Sequence, residues 1–264
     1  MFRFAVLKIY FSIIIILVFY NLTKCQTNGF SLDAISNRSL VAVQKYDSLD
    51  IGKGYGTGIL LYNYTSDTSV YLLTANHVFD SAYKIELFIE RGGNLFSIFK
   101  EPMCIFDSLR NSKLLTYTNN TNTVLDIVLL DIPIKLLKNN LTISGISKSW
   151  CLFSDSVTAG DHLLAFGFAK PDIFPFVKRG DPLLTSGIIS YENDFLYLMD
   201  HINHKGMSGG IVFKEIPDTN KYVYRAIGVI SSRINKAPDY TWIVKLDLID
   251  SILVANTGKN WLGK

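Results

Sequence analysis

Residues 206–210 read Gly206-Met207-Ser208-Gly209-Gly210. A serine with glycines on both sides suits a tight turn that exposes the hydroxyl. The same turn leaves backbone N–H groups unencumbered, here those of Gly206 and Ser208, aimed where the oxyanion of a tetrahedral intermediate would form. A plain glycine-rich turn has the same composition, so residues elsewhere in the chain must arbitrate.

The histidines do so. Gly-x-Ser-x-Gly is also the nucleophile elbow of α/β-hydrolases, in which the catalytic histidine follows the serine. Here His77, His162, His201 and His204 all precede Ser208, so that fold would have no base. The order His, Asp, Ser is available instead. His77 closes Leu72-Leu73-Thr74-Ala75-Asn76-His77, an apolar run ending in small residues, which puts an imidazole at the lip of a sheet. Asp126 opens Asp126-Ile127-Val128-Leu129-Leu130, a carboxylate at the mouth of a buried strand that can orient an imidazole. Asp131, at the far end of that run, is the rival. Asp126 is preferred because the polar loop 119–122 leads almost directly into it.

Outward from these residues the pattern is all-β. Short apolar or alternating runs occupy Leu40–Val43, Gly56–Tyr62, Val70–Leu73, Ile85–Ile89, Leu114–Thr118 and Ile127–Ile132. A second series occupies His162–Phe168, Leu183–Tyr191, Phe195–Met199, Gly210–Phe213, Tyr222–Ser231 and Thr241–Leu246. Turn formers such as Gly92-Gly93 and Asn193-Asp194 separate them, which is the signature of barrels or sandwiches and not of βαβ units. The expected architecture is two six-stranded antiparallel β-barrels, residues 26–140 and 156–264, joined by a polar linker over 141–155. Leu248, Ile249, Ile252 and Leu253 share one face of a short C-terminal helix.

Residues 1–25 read as a secretory signal: Arg3 and Lys8, an apolar run from Ile9 to Tyr20, then small residues at Thr23 and Cys25. The run is shorter than a spanning helix needs, so cleavage before Gln26 and a secreted chain with no membrane anchor are expected. Asn-x-Ser/Thr triplets at Asn37, Asn63, Asn119 and Asn140 fit a glycosylated, exported protein. With Cys25 removed, Cys104 and Cys151 remain as an even pair in an oxidising compartment, and a disulfide between them is expected. No Cys/His cluster has zinc spacing, so neither metal nor cofactor is expected. The net charge of +3 over 264 residues comes from scattered basic residues, which excludes a nucleic-acid reading.

The three central segments resemble the motifs of trypsin-like serine peptidases. Thr74-Ala75-Asn76-His77 is similar to the family's Thr-Ala-Ala-His box, Asp126-Ile127-Val128-Leu129 to its Asp-Ile-Ala-Leu box, and residues 206–210 to its Gly-Asp-Ser-Gly-Gly box. Gly56-Thr57-Gly58, Ala165–Phe168 and Thr185–Ser190 look like the bacterial-type branch, which includes glutamyl endopeptidases and heat-shock proteases. The resemblance covers roughly residues 39–250. It implies a chymotrypsin-like double barrel and a serine endopeptidase with His77, Asp126 and Ser208 as triad. Two departures stand out: Met207 replaces the usual Asp before the nucleophile, and Val78 replaces the cysteine after the histidine.

By the same resemblance Ile202 lies at the base of the primary pocket, and Ser231, Ser232 and Arg233 line its wall and pair with an extended substrate. No acid at the base means no preference for Lys or Arg. Arg233, Lys205 and His204 could favour an acidic side chain or form a solvated rim, and a small or apolar preference competes. A monomer acting on protein or peptide substrates, and open to protein inhibitors, is expected. A silent homologue that binds through its old cleft, and an adhesive β-protein with a chance triad, are the readings from other classes.

Overall fold

The structure, a computed structural model, describes residues 35, 38–63, 66–106, 112–118, 124–138, 145–152, 156–169, 181–201, 204–218, 221–234, 237–258 and 261. All of them lie in the compact unit Leu32–Lys264. The signal segment, with Cys25, lies outside the described residues.

The first half forms one curled antiparallel sheet. Its strands are β1 (Leu40–Tyr46), β2 (Gly52–Tyr62), β3 (Ser69–Thr74), β4 (Lys84–Arg91), β5 (Asn94–Ser97), β6 (Met103–Cys104), β7 (Leu114–Thr118) and β8 (Val124–Pro133). They run in the order β5-β4-β1-β2-β3-β8-β7, with β6 on β4. Each strand expected from the apolar runs is present. The pair β5 and β6 was not expected, because Asn94–Ser97 and Met103-Cys104 are too short to show a pattern.

The expected closed first barrel is corrected: the hydrogen-bonded path is open between β5 and β7. Pro102 has no N–H to donate and β6 spans two residues. Among the described residues the gap is crossed by the single bridges Phe99↔Leu137 and Phe106↔Ser112. The sheet still wraps one core, since Ile98, Phe99, Met103 and Ile105 pack with Val128, Leu130, Ile132 and Leu137 from the other end.

The second half closes fully. Strands β9 (His162–Gly167), β10 (Leu183–Glu192), β11 (Leu196–Asp200), β12 (Ile211–Asp218), β13 (Lys221–Ile234) and β14 (Ala237–Lys245) form a six-stranded barrel in the order β10-β11-β14-β13-β12-β9. Closure leaves no edge strand to pair with another chain. Leu163, Ala165, Ile189, Tyr197, Met199, Val212, Ile227 and Ile243 fill it.

The terminal helix α1 (Leu248–Thr257) buries the expected face, Leu248, Ile249, Ile252 and Leu253. Each such side chain contributes roughly 1.5–3 kcal/mol on burial. The helix packs against β7 and β8 of the first sheet, where Asn256 Nδ2 donates to the Thr116 carbonyl at 2.9 Å. The end of the chain therefore ties the second half to the first. No helix among the described residues is long and apolar enough to cross a membrane.

Candidate active site

His77 sits in a single 3-10 turn, Asn76–Phe79, that follows β3 directly. Val78 and Phe79 are buried beneath it and leave the imidazole half exposed. Thr74 at the end of β3 pairs with Val128 of β8, so Asp126, two residues earlier on β8, stands beside the turn. Its carboxylate accepts twice from His77: from Nδ1 at 2.8 Å and from the backbone N–H at 2.9 Å. Ring and backbone are thus held by one acid. Asp131 is exposed at the other end of β8, opposite Tyr71, far along the strand from the imidazole.

Asp126 has a third donor. Ser231 Oγ, buried on β13 of the second barrel, donates to Asp126 Oδ2. Its side chain supports the acid, a contact that the sequence did not show. Burial pushes the Asp126 carboxyl up, but hydrogen bonds from His77 and Ser231 outweigh it and leave the group below its ordinary value. His77 is shifted the other way. Its hydrogen bond to Asp126 raises its pKa, against burial and the positive Lys45. The result is an ionised carboxylate holding an imidazole more basic than usual.

The Ser208 turn is built by local chemistry. Met207 N–H donates to the His204 carbonyl at 3.0 Å, closing a four-residue turn whose third residue, Gly206, has φ +99°. A type II turn requires positive φ there, which glycine supplies without strain. Gly209 has φ +85°, and a Cβ on it would lie 1.9 Å from the Thr57 carbonyl oxygen and 2.1 Å from Thr74 Oγ1. Only glycine lets this turn lie directly against the end of β3, three residues before His77.

Two amide groups remain for a ligand. The N–H groups of Gly206 and Ser208 have no acceptor among the described residues. The Met207 carbonyl accepts from Gly210 N–H at 2.8 Å. In a planar trans peptide the next N–H points the opposite way, so Ser208 N–H is turned outward. Ser208 is half-buried, and its Oγ makes no hydrogen bond among the described residues, His77 included.

The two halves of the molecule meet here through Thr57 of β2. Its N–H donates to the Ser208 carbonyl at 2.8 Å, and its Oγ1 donates to the Gly206 carbonyl at 2.8 Å. Oγ1 also accepts from Phe168 N–H at 2.8 Å, and Thr74 Oγ1 donates to the Thr57 carbonyl at 2.6 Å. The Gly-Thr-Gly stretch was legible in the sequence; its clamp on the serine turn was not.

Of the pocket residues, Ile202 lies outside the described residues. Ser232 and Arg233 are placed by their backbone in β13, where register slips between Ile230 and Arg233. Residues 231 and 232 therefore bulge out of the β13–β14 ladder. His201 was not singled out from sequence, yet it is buried between two strands, its ring meeting Thr185 Oγ1 of β10 and Thr241 Oγ1 of β14. Burial and the neighbouring His204 lower its pKa to about 4, against the opposing pull of Asp200.

Other expectations are corrected. Cys104 and Cys151 are both free thiols: Cys104 lies in β6 on the edge of the first sheet, whereas Cys151 pairs with Ala226 of β13 in the second barrel. Burial pushes the Cys151 thiol up to about 12. Asn63 is 3% exposed and its amide donates to Ser69 Oγ at 2.8 Å, so it cannot carry a glycan in this fold. Asn37, Asn119 and Asn140 lie outside the described residues. The described residues contain no group of His, Cys, Asp or Glu able to hold a metal.

No protein-family model and no curated protein sequence matches the chain. Solved structures do match in fold. The MamO protease domain from Magnetospirillum magneticum aligns with a TM-score of 0.52 at 13% identity, covering 83% of this chain and 98% of that one. The Rv3671c protease from M. tuberculosis, in its active form, aligns with a TM-score of 0.51 at 14% identity, over 84% and 82%. The HtrA-type protease AlgW, solved with a tripeptide, aligns with a TM-score of 0.52 at 18% identity, over 86% and 63%. The chain has the fold of these protease structures.

Proposed function

We propose that the chain is a secreted serine endopeptidase of the trypsin-like type, acting as a monomer on protein or peptide substrates, which makes it open to protein inhibitors. One observation carries this reading: Thr57 holds a serine turn with two amide donors and also accepts from Thr74, three residues before a carboxylate-held imidazole. Ser208 Oγ attacks the peptide carbonyl while His77 Nε2 takes its proton. The carbonyl π electrons move to oxygen, and the Gly206 and Ser208 N–H groups stabilise that oxyanion. Collapse expels the leaving amine, which takes the proton from His77 and leaves an acyl-serine. Water then repeats the sequence and frees Ser208. Asp126 holds the Nδ1–H tautomer and the imidazolium that forms. The fold of MamO and AlgW favours the bacterial-type branch within that class.

A second reading, a silent homologue that binds partners, is favoured by one observation: Ser208 Oγ does not reach His77. Catalytic hydrogen bonds are often long before substrate binds and tighten in the complex, so the enzyme reading is preferred. Fluorophosphonate labelling with peptide mapping decides between them. The enzyme reading expects label on Ser208, lost in Ser208→Ala and His77→Ala. Well-folded protein that takes no label overturns it.

A further inference from the structure

Lys45, the sixth residue of β1, places a cation near the His77 turn. It pairs with Gly54 of β2, and a Cβ at Gly54 would sit 2.6 Å from Lys45 Cε. The lysine stem therefore lies across the bare glycine backbone. Its ammonium donates to the backbone carbonyl of Asp80 at 2.8 Å, three residues past His77, and its charge is felt at the imidazole. No carboxylate lies within ion-pair distance of it among the described residues. Asp80's own carboxylate, exposed to solvent, acts on Lys45 only through space. An ammonium has three donors, so with one carbonyl partner it has donors left over.

The chemistry places this cation relative to the scissile bond. The acyl half of a substrate must lie against the Ser208 turn and β13, both in the second barrel. The leaving amine must reach His77 Nε2, because Nδ1 is committed to Asp126. The segment after the bond thus runs off over the first sheet, where Asp80 and Lys45 lie.

Resting on the peptidase reading, we propose that Lys45 is a specificity residue, and that it selects peptides with Asp or Glu in the first two positions after the cleaved bond. The carboxylate would take the ammonium's remaining donors as a charge-assisted hydrogen bond. Gly54 is part of the device, since any side chain there would push the ammonium aside.

The test uses internally quenched peptides in matched pairs, Asp against Asn and Glu against Gln, at those two positions. It compares the wild-type protein with Lys45→Met, Lys45→Arg and Gly54→Ala. Expected is a kcat/KM ratio favouring the acid by about fivefold, the scale of a half-exposed ion pair. The ratio should fall to about one in Lys45→Met, persist in Lys45→Arg, and shrink in Gly54→Ala, which keeps the charge but moves it. The acid limb of the pH profile should also rise in Lys45→Met, because a positive neighbour depressing His77 has gone. Fluorophosphonate labelling of Ser208 with equal turnover of acid and amide peptides, or an acid preference that survives Lys45→Met, overturns the assignment alone. No labelling and no cleavage overturns the peptidase reading and the Lys45 assignment with it.

Discussion

Thr57 donates its backbone N–H to the carbonyl of Ser208 at 2.8 Å, so the serine turn of one half hangs on a strand of the other. The Thr57 hydroxyl completes the hold by donating to Gly206 and accepting from Phe168. Thr57→Val keeps the backbone bond and the shape but strands a buried carbonyl and a buried N–H. Each unsatisfied group costs about 1–3 kcal/mol. A melting temperature lower by several degrees, with kcat reduced more than KM is raised, is the expected outcome, and Thr57→Ser should recover most of both. Calorimetry and steady-state kinetics check it; an unchanged kcat in Thr57→Val would show that the clamp does not position the donors.

Gly209→Ala is expected to be worse than any surface change. The added Cβ meets the Thr57 carbonyl oxygen at 1.9 Å, and φ is +85°, so both space and conformation oppose it. Since the obstacle is backbone, no side chain can swing away to relieve it. Loss of fluorophosphonate labelling together with a lowered melting temperature is predicted. Labelling at the wild-type rate would contradict the close approach of the serine turn to β3.

How much of this was legible beforehand follows from distance along the chain. The apolar runs mark the strands because alternation and β-branched content are local signals, and Leu248, Ile249, Ile252 and Leu253 mark the helix for the same reason. His77, Asp126 and Ser208 are legible because each sits in a short apolar or glycine-rich context that the chemistry requires. The hydrogen bond from Ser231 to Asp126 was not legible, since nothing near Ser231 in sequence points to a residue over a hundred positions earlier. The open first sheet was not legible because β6 spans two residues, too few for periodicity to show. Cys104 and Cys151 form an even pair by count, and only their placement in different halves separates them.

The free thiols give a direct prediction. Alkylation in denaturant without any reductant should modify both Cys104 and Cys151, and a reductant should leave the melting temperature unchanged. In the folded protein Cys104, which is partly exposed, should react first. Cys151 is buried and its thiol is held protonated by a pKa near 12, and the thiolate is the reactive form. Mass spectrometry of alkylated peptides measures this. A tryptic peptide pair joined through these two residues would refute it.

The pH dependence of activity should follow His77. The hydrogen bond to Asp126 raises its pKa above the ordinary histidine value of about 6.5, and the general base must be neutral to take a proton. The acid limb of kcat/KM is therefore expected above pH ~6.5, and Asp126→Asn should lower turnover by several orders of magnitude. A limb well below that value would argue that the Asp126 bond is not formed in solution.

Stability should depend on pH through a different histidine. His201 is buried against Thr185 and Thr241 and titrates near 4 in the folded state, against about 6.5 unfolded. Between those values the unfolded chain binds the proton and the folded chain does not. Stability therefore rises with pH across that window, and is lost as pH falls from about 6.5 towards 4. His77 works in the opposite sense. Its raised pKa contributes stability that is full below about 6.5 and fades as pH climbs through the folded value. Asp126, lowered by its donors, contributes above the ordinary carboxylate range and loses that contribution only at more acidic pH. The slope between pH ~6.5 and ~4 thus isolates His201 from both triad groups. Urea unfolding midpoints measured across that range should fall in the wild type and fall less in His201→Gln, which keeps an amide for the two threonines but cannot take the proton. Equal slopes in the two proteins would mean that some other group senses the acid.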